Sequence, residues 1–361
     1  MRIARMKLMM LCFLLFLATS QNVVAQKLTA LKQDKQMLKL VDSSLNKAVA
    51  QYKILMKGRI PGKISHSANK QGAVRNVPPT GWVSGFYPGT MAYLYGFSKD
   101  KSFAKEIQEC LVVLDSQQYN KNTHDLGFMM YCSFGTAYKY WPKTEYKTAI
   151  INSARSLASR YNDKVHSILS WGSMSNQKEF LVIIDNMMNL ELLFNGAKFA
   201  SDLSLRELAI THANTTLANH FRPDNSSYHV VNYNPLTGDV LRKYTAQGFS
   251  DSSAWARGQA WGLYGYTVMY RETGEQKYLD QANKIAEFIL SNPNLPADKI
   301  PYWDYNSPDI PNAKRDASAG AIACSALIEL ARYNRGDLAK KQLNAAETMI
   351  KSLSSPAYTA P

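Results

Sequence analysis

The sequence predicts an all-α protein, a double toroid of helical hairpins carrying one short β-hairpin insert. Three observations carry that expectation. Helical periodicity runs through nearly all of the chain beyond Gln26. The periodic segments are of two kinds, and the two kinds alternate. A single long irregular stretch, residues 222–253, is rich in turn residues. A charged amphipathic helix can face water on one side, whereas a helix apolar all round must be enclosed by protein. Alternation therefore puts the apolar helices in an inner ring and the charged ones in an outer ring.

In order along the chain, residues 1–25 read as a secretory signal. Arg2, Arg5 and Lys7 precede an apolar run over residues 8–18, and Val23-Val24-Ala25 leads to Gln26. The run is short for a membrane span. Cys12 follows Leu11 rather than a small residue, which argues against a lipid anchor. The reading is a periplasmic or secreted chain with one domain over residues 26–361. Residues 28–57 open the outer ring with a charged face, and the glycine-containing residues 84–97 form the first inner helix. The pattern repeats as 102–118 then 126–140, 146–161 then 180–199, 204–220 then 254–270, and 276–291 then 317–333, before a last outer helix at 337–353. A six-hairpin ring needs a sixth inner helix, and residues 354–361 carry no helical pattern. The ring is thus expected to lack its closing inner element. Within the insert, Pro223, Asn225, Asn234-Pro235 and Gly238-Asp239 mark turns, and residues 228–233 and 240–244 alternate as hairpin strands.

Composition narrows the function. With 46% hydrophobic and 19% charged residues the chain can bury a large core. The formal charge of +14 falls to +11 without the three basic residues of the signal, which favours an acidic partner. No basic run or basic amphipathic helix points to nucleic acid or to an anionic membrane. Cys110, Cys132 and Cys324 are odd in number and lack metal-ligand spacing, so they read as buried free thiols. There is no nucleophile elbow, phosphate loop, dinucleotide fingerprint or HExxH motif.

Chemistry-bearing residues gather in the loops that open the inner helices. Trp82 lies in GWVSGFYPG, His124 and Asp125 in THDLGF, and Asp185 in LVIIDNMMNLELLF. Trp255, Arg257, Gln259 and Trp261 lie in SAWARGQAW, and Asp316 in KRDASAG. In a toroid these loops converge on one funnel. Indoles stack on sugar faces, arginine pairs with carboxylates and aspartate transfers protons, so the set points to a carbohydrate site. Asp185 stands out because its helix is apolar almost throughout, and a desolvated carboxyl there is pushed toward its neutral, acid form. The competing reading makes Asp185, Asp125 and Asp316 helix caps, the indoles core, and Arg257 a structural ion-pair partner of Asp251 or Asp316. Two carboxylates suggest ordinary inverting glycoside hydrolysis first, or a close pair in which one tunes the other.

The segments GWVSGFYPG, THDLGF, VIIDNMMNLELLF, HFRPDNSSYHVVNYNP, SAWARGQAWGLYGYT and DASAGAIACSALIELA resemble, in order, the unsaturated glucuronyl hydrolases of glycoside hydrolase family 88. The resemblance runs from about Val77 to Arg332. It implies an (α/α)6 barrel and hydration of the 4,5 double bond in the unsaturated uronic acid that a polysaccharide lyase leaves at a non-reducing end. Neither metal nor organic cofactor is implied; the implied partners are unsaturated uronic-acid oligosaccharides. Asp185 would be the general acid and base and Asp125 the second essential carboxylate. His124, His229, Gln247, Trp255, Arg257 and Trp261 match substrate-site positions, with Trp82 and Trp171 as further aromatic contacts. One departure is Ala246, where the family often has a histidine before the glutamine. The neighbouring unsaturated rhamnogalacturonyl hydrolases, acting on pectin fragments, and a non-catalytic uronide-binding protein are the alternatives.

Overall fold

Apolar inner faces and charged outer faces sort the helices into two layers. The computed structural model describes residues 34–69 and 71–359. The signal-peptide reading lies outside these residues. Outer and inner helices succeed each other along the chain, the first of each pair being outer: α1 (Lys35–Lys57) and α2 (Phe86–Ser98); α3 (Lys101–Leu114) and a π-helix (Gly127–Gly135) that runs into α4 (Thr136–Tyr140); α5 (Thr144–Ala158) and α6 (Asn186–Ala200); α7 (Leu203–Asn219) and α8 (Ala256–Thr273); α9 (Gln276–Ser291) and α10 (Ala317–Leu330). The last outer helix is α11 (Gly336–Leu353). The described residues thus supply six outer and five inner helices, as the alternation predicts.

Inner helices pack on one another in chain order, α2 on the π-helix, that on α6, α6 on α8 and α8 on α10. Small residues permit the close approach. A Cβ on Gly89 of α2 would lie 2.1 Å from the Cys132 carbonyl oxygen of the π-helix, well inside contact distance. The outer helices bury one face only. In α9 Tyr278, Leu279, Ala282, Ile285, Ala286 and Ile289 point inward, the spacing of an amphipathic stripe. Asp100, Asp202 and Asp316 cap α3, α7 and α10 by accepting from the amides of Ser102, Ser204 and Ala319. On α10 Ser318, Ala321, Ser325 and Ile328 stay exposed along one face.

Three differences from the sequence reading have physical causes. Residues 180–183 are not helical: they form strand β5 (Phe180–Ile183) ahead of α6. The run Leu181-Val182-Ile183 is branched and apolar, and the insert supplies it with a backbone partner. The insert strands are β6 (Val230–Tyr233) and β7 (Val240–Tyr244), and the antiparallel order is β5-β6-β7. The hairpin is therefore part of a three-stranded sheet buried against Val165, Leu169 and Tyr228. Two further hairpins lie in segments without helical period, β1 (Ile64–Ala68) with β2 (Val74–Val77) and β3 (Tyr161–Asn162) with β4 (Ser167–Ile168). Finally, Cys110 and Cys324 are buried free thiols, but Cys132 is only half-buried. It lines a cavity of about 200 Å³ beside Gly89, Met188 and Glu191.

Candidate active site

The loops that open the inner helices meet at one cavity of about 150 Å³. Trp82, His124, Asp125, Trp171, Asp185, Gln247, Trp255, Arg257 and Trp261 line it, together with Phe128 and Ile183. His229 stands just behind, in edge contact with Trp171 at 5.5 Å and tilted against Trp255 at 4.7 Å between ring centres. The ten residues that the resemblance assigns to the site are thereby brought together, while Gln259 and Asp316 do not line the cavity. Phe128 was quoted within a motif but not singled out. It forms the floor, meeting Trp261 at 4.9 Å and Trp82 at 5.5 Å, both edge-on. Trp82 is 44% exposed and forms the rim, whereas Trp255 and Trp261 are 4% exposed. The two buried indoles thus serve the core and the cavity wall at once.

Asp185 precedes the first turn of α6, yet its side chain makes no cap hydrogen bond. The group is 9% exposed, and Oδ2 has no hydrogen-bond partner. Burial, and next the nearby Asp125 charge, push its pKa up to about 7, against the opposing influence of Arg257 and the Trp261 indole. A buried carboxyl group that caps no helix and borders a cavity is the form expected of an acid held ready to give its proton.

His229 stands behind that same Oδ2 of Asp185. Its Nδ1 accepts from the amides of Ala246 and Gln247 at 3.1 and 3.2 Å. The proton of the neutral ring therefore sits on Nε2, which lies 3.6 Å from Asp185 Oδ2. Burial pulls the pKa of His229 down to about 3, so the ring stays neutral. Ala246 takes part here through its amide alone.

Asp125 is held differently. The Thr123 hydroxyl donates to Oδ2 at 3.0 Å, and His124 Nε2 lies 3.4 Å from Oδ1. His124 is 1% exposed and burial lowers its proton affinity. Directly after Asp125 the chain enters the π-helix, whose wider turn is a common device beside functional residues. Asn189 of α6 braces that start by accepting from the Phe128 amide at 3.1 Å, and Asn186 donates to the Ile168 carbonyl at 3.1 Å. The polar residues inside the apolar stretch thus stitch the site together.

Arg257 leans over the Trp255 ring at 5.1 Å, with Nε 3.7 Å from Asp316 Oδ2. Asp316 is chiefly a cap, as read. Asp251 pairs with Arg242, not Arg257. Gln247 is carried by a loop clamped at Asp304. That fully buried carboxylate accepts from the Phe249 amide at 2.9 Å and the Ser253 hydroxyl at 2.7 Å on Oδ2, and from the Asn306 amide at 2.8 Å on Oδ1. Asp304 and Trp303, which packs on the Phe128–Trp255–Trp261 cluster, were missed in the sequence, where nothing marks the 301–316 loop as touching the insert. Among the described residues no cluster of three potential metal-binding side chains occurs. No helix there is long and apolar enough to cross a membrane.

A helical toroid with two carboxylates under a tryptophan wall defines a carbohydrate-active enzyme of the glycoside hydrolase class. The chain belongs to the unsaturated glucuronyl hydrolases. It is 47% identical over 286 residues to the unsaturated glucuronyl hydrolase of Formosa agariphila, covering 79% of this chain and 71% of that one. It is 33% identical over 279 residues to the unsaturated chondroitin disaccharide hydrolase of Streptococcus pyogenes, covering 76% and 69%. A solved unsaturated glucuronyl hydrolase specific for heparin superposes with a TM-score of 0.84 at 44% identity, over 88% of this chain and 85% of that one. No protein-family model matches the chain.

Proposed function

We propose that this protein hydrates the 4,5 double bond of the unsaturated glucuronic acid at the non-reducing end of lyase-derived glycosaminoglycan fragments. The observation that carries the reading is Asp185, a carboxyl group held near pH 7, with one oxygen unpartnered, in a tryptophan-lined cavity beside a second carboxylate. Protonating the carbon of an enol ether needs a neutral acid, and a desolvated carboxyl supplies one. The Asp185 proton goes to C4, and positive charge develops at C5 and the ring oxygen. The resulting carboxylate and Asp125 face that charge. Water adds at C5 as Asp185 takes back a proton, so the acid form is restored. The hemiketal opens, and the hemiacetal left at C1 releases the remaining sugar. Trp82, Trp171, Trp255 and Trp261 provide stacking faces, and Arg257 a cation for the uronate carboxylate. His124, Gln247 and His229 provide hydrogen bonds to its hydroxyls and hold the aspartates.

The basic, apolar and small-residue order of residues 1–25 supports action outside the cytoplasm, where lyase products arise. N-terminal sequencing of the exported protein would test it; a start at Met1 excludes the reading. The activity is tested with unsaturated disaccharides from heparin, chondroitin and pectin, following loss of the ultraviolet absorbance of the conjugated double bond. Turnover of glycosaminoglycan disaccharides is expected. Absorbance that persists with every uronide overturns the proposal, and a preference for the pectin product moves it to the rhamnogalacturonyl class.

A further inference from the structure

Arg160 is 2% exposed and lies between α5 and the Tyr161–Asn162 strand. Burying a guanidinium with no carboxylate bonded to it is costly unless other acceptors replace water. Here four backbone carbonyls do so. Nε donates to Leu169 at 2.9 Å, Nη1 to Lys121 at 2.8 Å, and Nη2 to Ser170 at 3.2 Å and Gly172 at 3.4 Å. No ion pair to Arg160 occurs among the described residues. Lys121 begins the loop of His124 and Asp125, while Leu169, Ser170 and Gly172 bracket Trp171. The bracketed segment is itself tied to β5, since the Ser170 amide donates to the Leu181 carbonyl at 2.8 Å and the Ile183 amide to the Ser170 hydroxyl at 3.0 Å. Trp171 thus reaches the cavity from an irregular segment and not from a helix.

We propose that Arg160 is a positioning residue that sets the Trp171 wall of the sugar site by clamping its segment to the His124–Asp125 loop. A planar guanidinium spreads donors of fixed direction over both segments, whereas a lysine ammonium gathers its three donors at one point and does not cover that span. The inference rests on the proposed sugar-binding role of this cavity. Its test compares wild type, Arg160→Lys, Trp171→Ala and the double variant, reading kcat and KM for an unsaturated heparin or chondroitin disaccharide, and calorimetric Kd with Asp185→Asn added to each so that the ligand is not consumed. Loss of one or two charge-assisted hydrogen bonds predicts that Arg160→Lys raises KM and Kd on the order of tenfold, with kcat down less than about threefold. In the Trp171→Ala background the same change should add less than about twofold, because coupled sites are not additive. A folded Arg160→Lys with unchanged KM and Kd overturns the clamp, as does simple multiplication of the two effects. If Arg160→Lys does not fold, Arg160→Gln carries the test, because its amide can donate to one of the two segments and cannot span both. Raised Kd with an unchanged melting temperature supports the proposal, and unchanged Kd overturns it. A wild type that binds the disaccharide without turnover fails the proposed reaction alone, since Kd still reads the clamp.

Discussion

At Asp185 the fold and the chemistry pull in opposite directions. In the unfolded chain the carboxyl ionises near its ordinary 3.8, and in the folded one near 7. The folded state therefore binds the extra proton between these limits, and stability falls as pH rises through that window. Above pH 7 the displacement corresponds to about 4 kcal/mol. Asp185→Asn removes the charge and keeps the shape. It should raise stability by roughly 2 kcal/mol at pH 8 and by much less at pH 4, seen as a higher melting temperature at the alkaline end only. Equal melting temperatures at pH 8 would refute the burial argument. The same variant should lose on the order of a thousandfold or more in kcat, general acid catalysis and its water-activating return step both being gone. In the wild type the active form is the protonated one, so kcat/KM should decline as pH rises through about 7. Asp125→Asn removes a like charge from beside the acid. Its residual activity should decline at a pH lower by roughly one unit, and a limb that stays put would show that Asp125 does not tune Asp185.

Among the elements, the π-helix and α2 show how much the site depends on close backbone contact. Gly89→Ala would bring a methyl carbon to 2.1 Å from the Cys132 carbonyl oxygen. Two inner helices would then have to part, at a cost of about 1–3 kcal/mol, measurable as a lower denaturant midpoint. A variant as stable as wild type would mean that the inner ring yields more freely than its packing implies. Most of the helices were legible because their faces differ in polarity, and the site loops because each carries a tryptophan, histidine or aspartate at the mouth of an apolar segment. What escaped was decided by contacts between distant segments. Strand β5 is apolar like the helix that follows it, so periodicity alone does not separate them, and its partner lies some fifty residues on in the insert. The clamps at Arg160 and Asp304 act on carbonyls and amides, which leave no trace in residue type. Asn189 is a polar residue in an otherwise apolar run, but its task, holding the Phe128 amide, depends on how the two helices are stacked.

Taken whole, the molecule buries an unusual group of neutral histidines around the sheet. Burial lowers His212 to about 3, His220 to about 4 and His229 to about 3. His212 Nδ1 accepts from the Ile168 amide at 3.1 Å, and His220 Nε2 donates to the Val182 carbonyl at 3.2 Å. Unfolding frees these rings to take up protons below their ordinary 6.5. Each then contributes stability that is present above that value and lost as pH falls, the reverse of Asp185. With several histidines against one aspartate, the sum favours unfolding in acid. The slope of unfolding free energy between pH 6 and 4.5 should correspond to uptake of on the order of two or three protons. A flat profile there would mean that the rings are wet or paired in the folded state. His212→Gln should flatten the slope by about one proton.

The tryptophan wall also makes the protein its own optical reporter. Of six indoles, Trp82, Trp171, Trp255 and Trp261 line the cavity and Trp303 packs against it, leaving Trp141 apart beside Tyr95 and Tyr140. Emission from this chain is then dominated by rings whose surroundings an entering sugar would change, in place of water. A saturable shift in intrinsic fluorescence should accompany occupancy even in the Asp185→Asn variant, where nothing is consumed, and should survive Trp141→Phe unchanged. Occupancy and turnover could thereby be timed separately on one unlabelled sample.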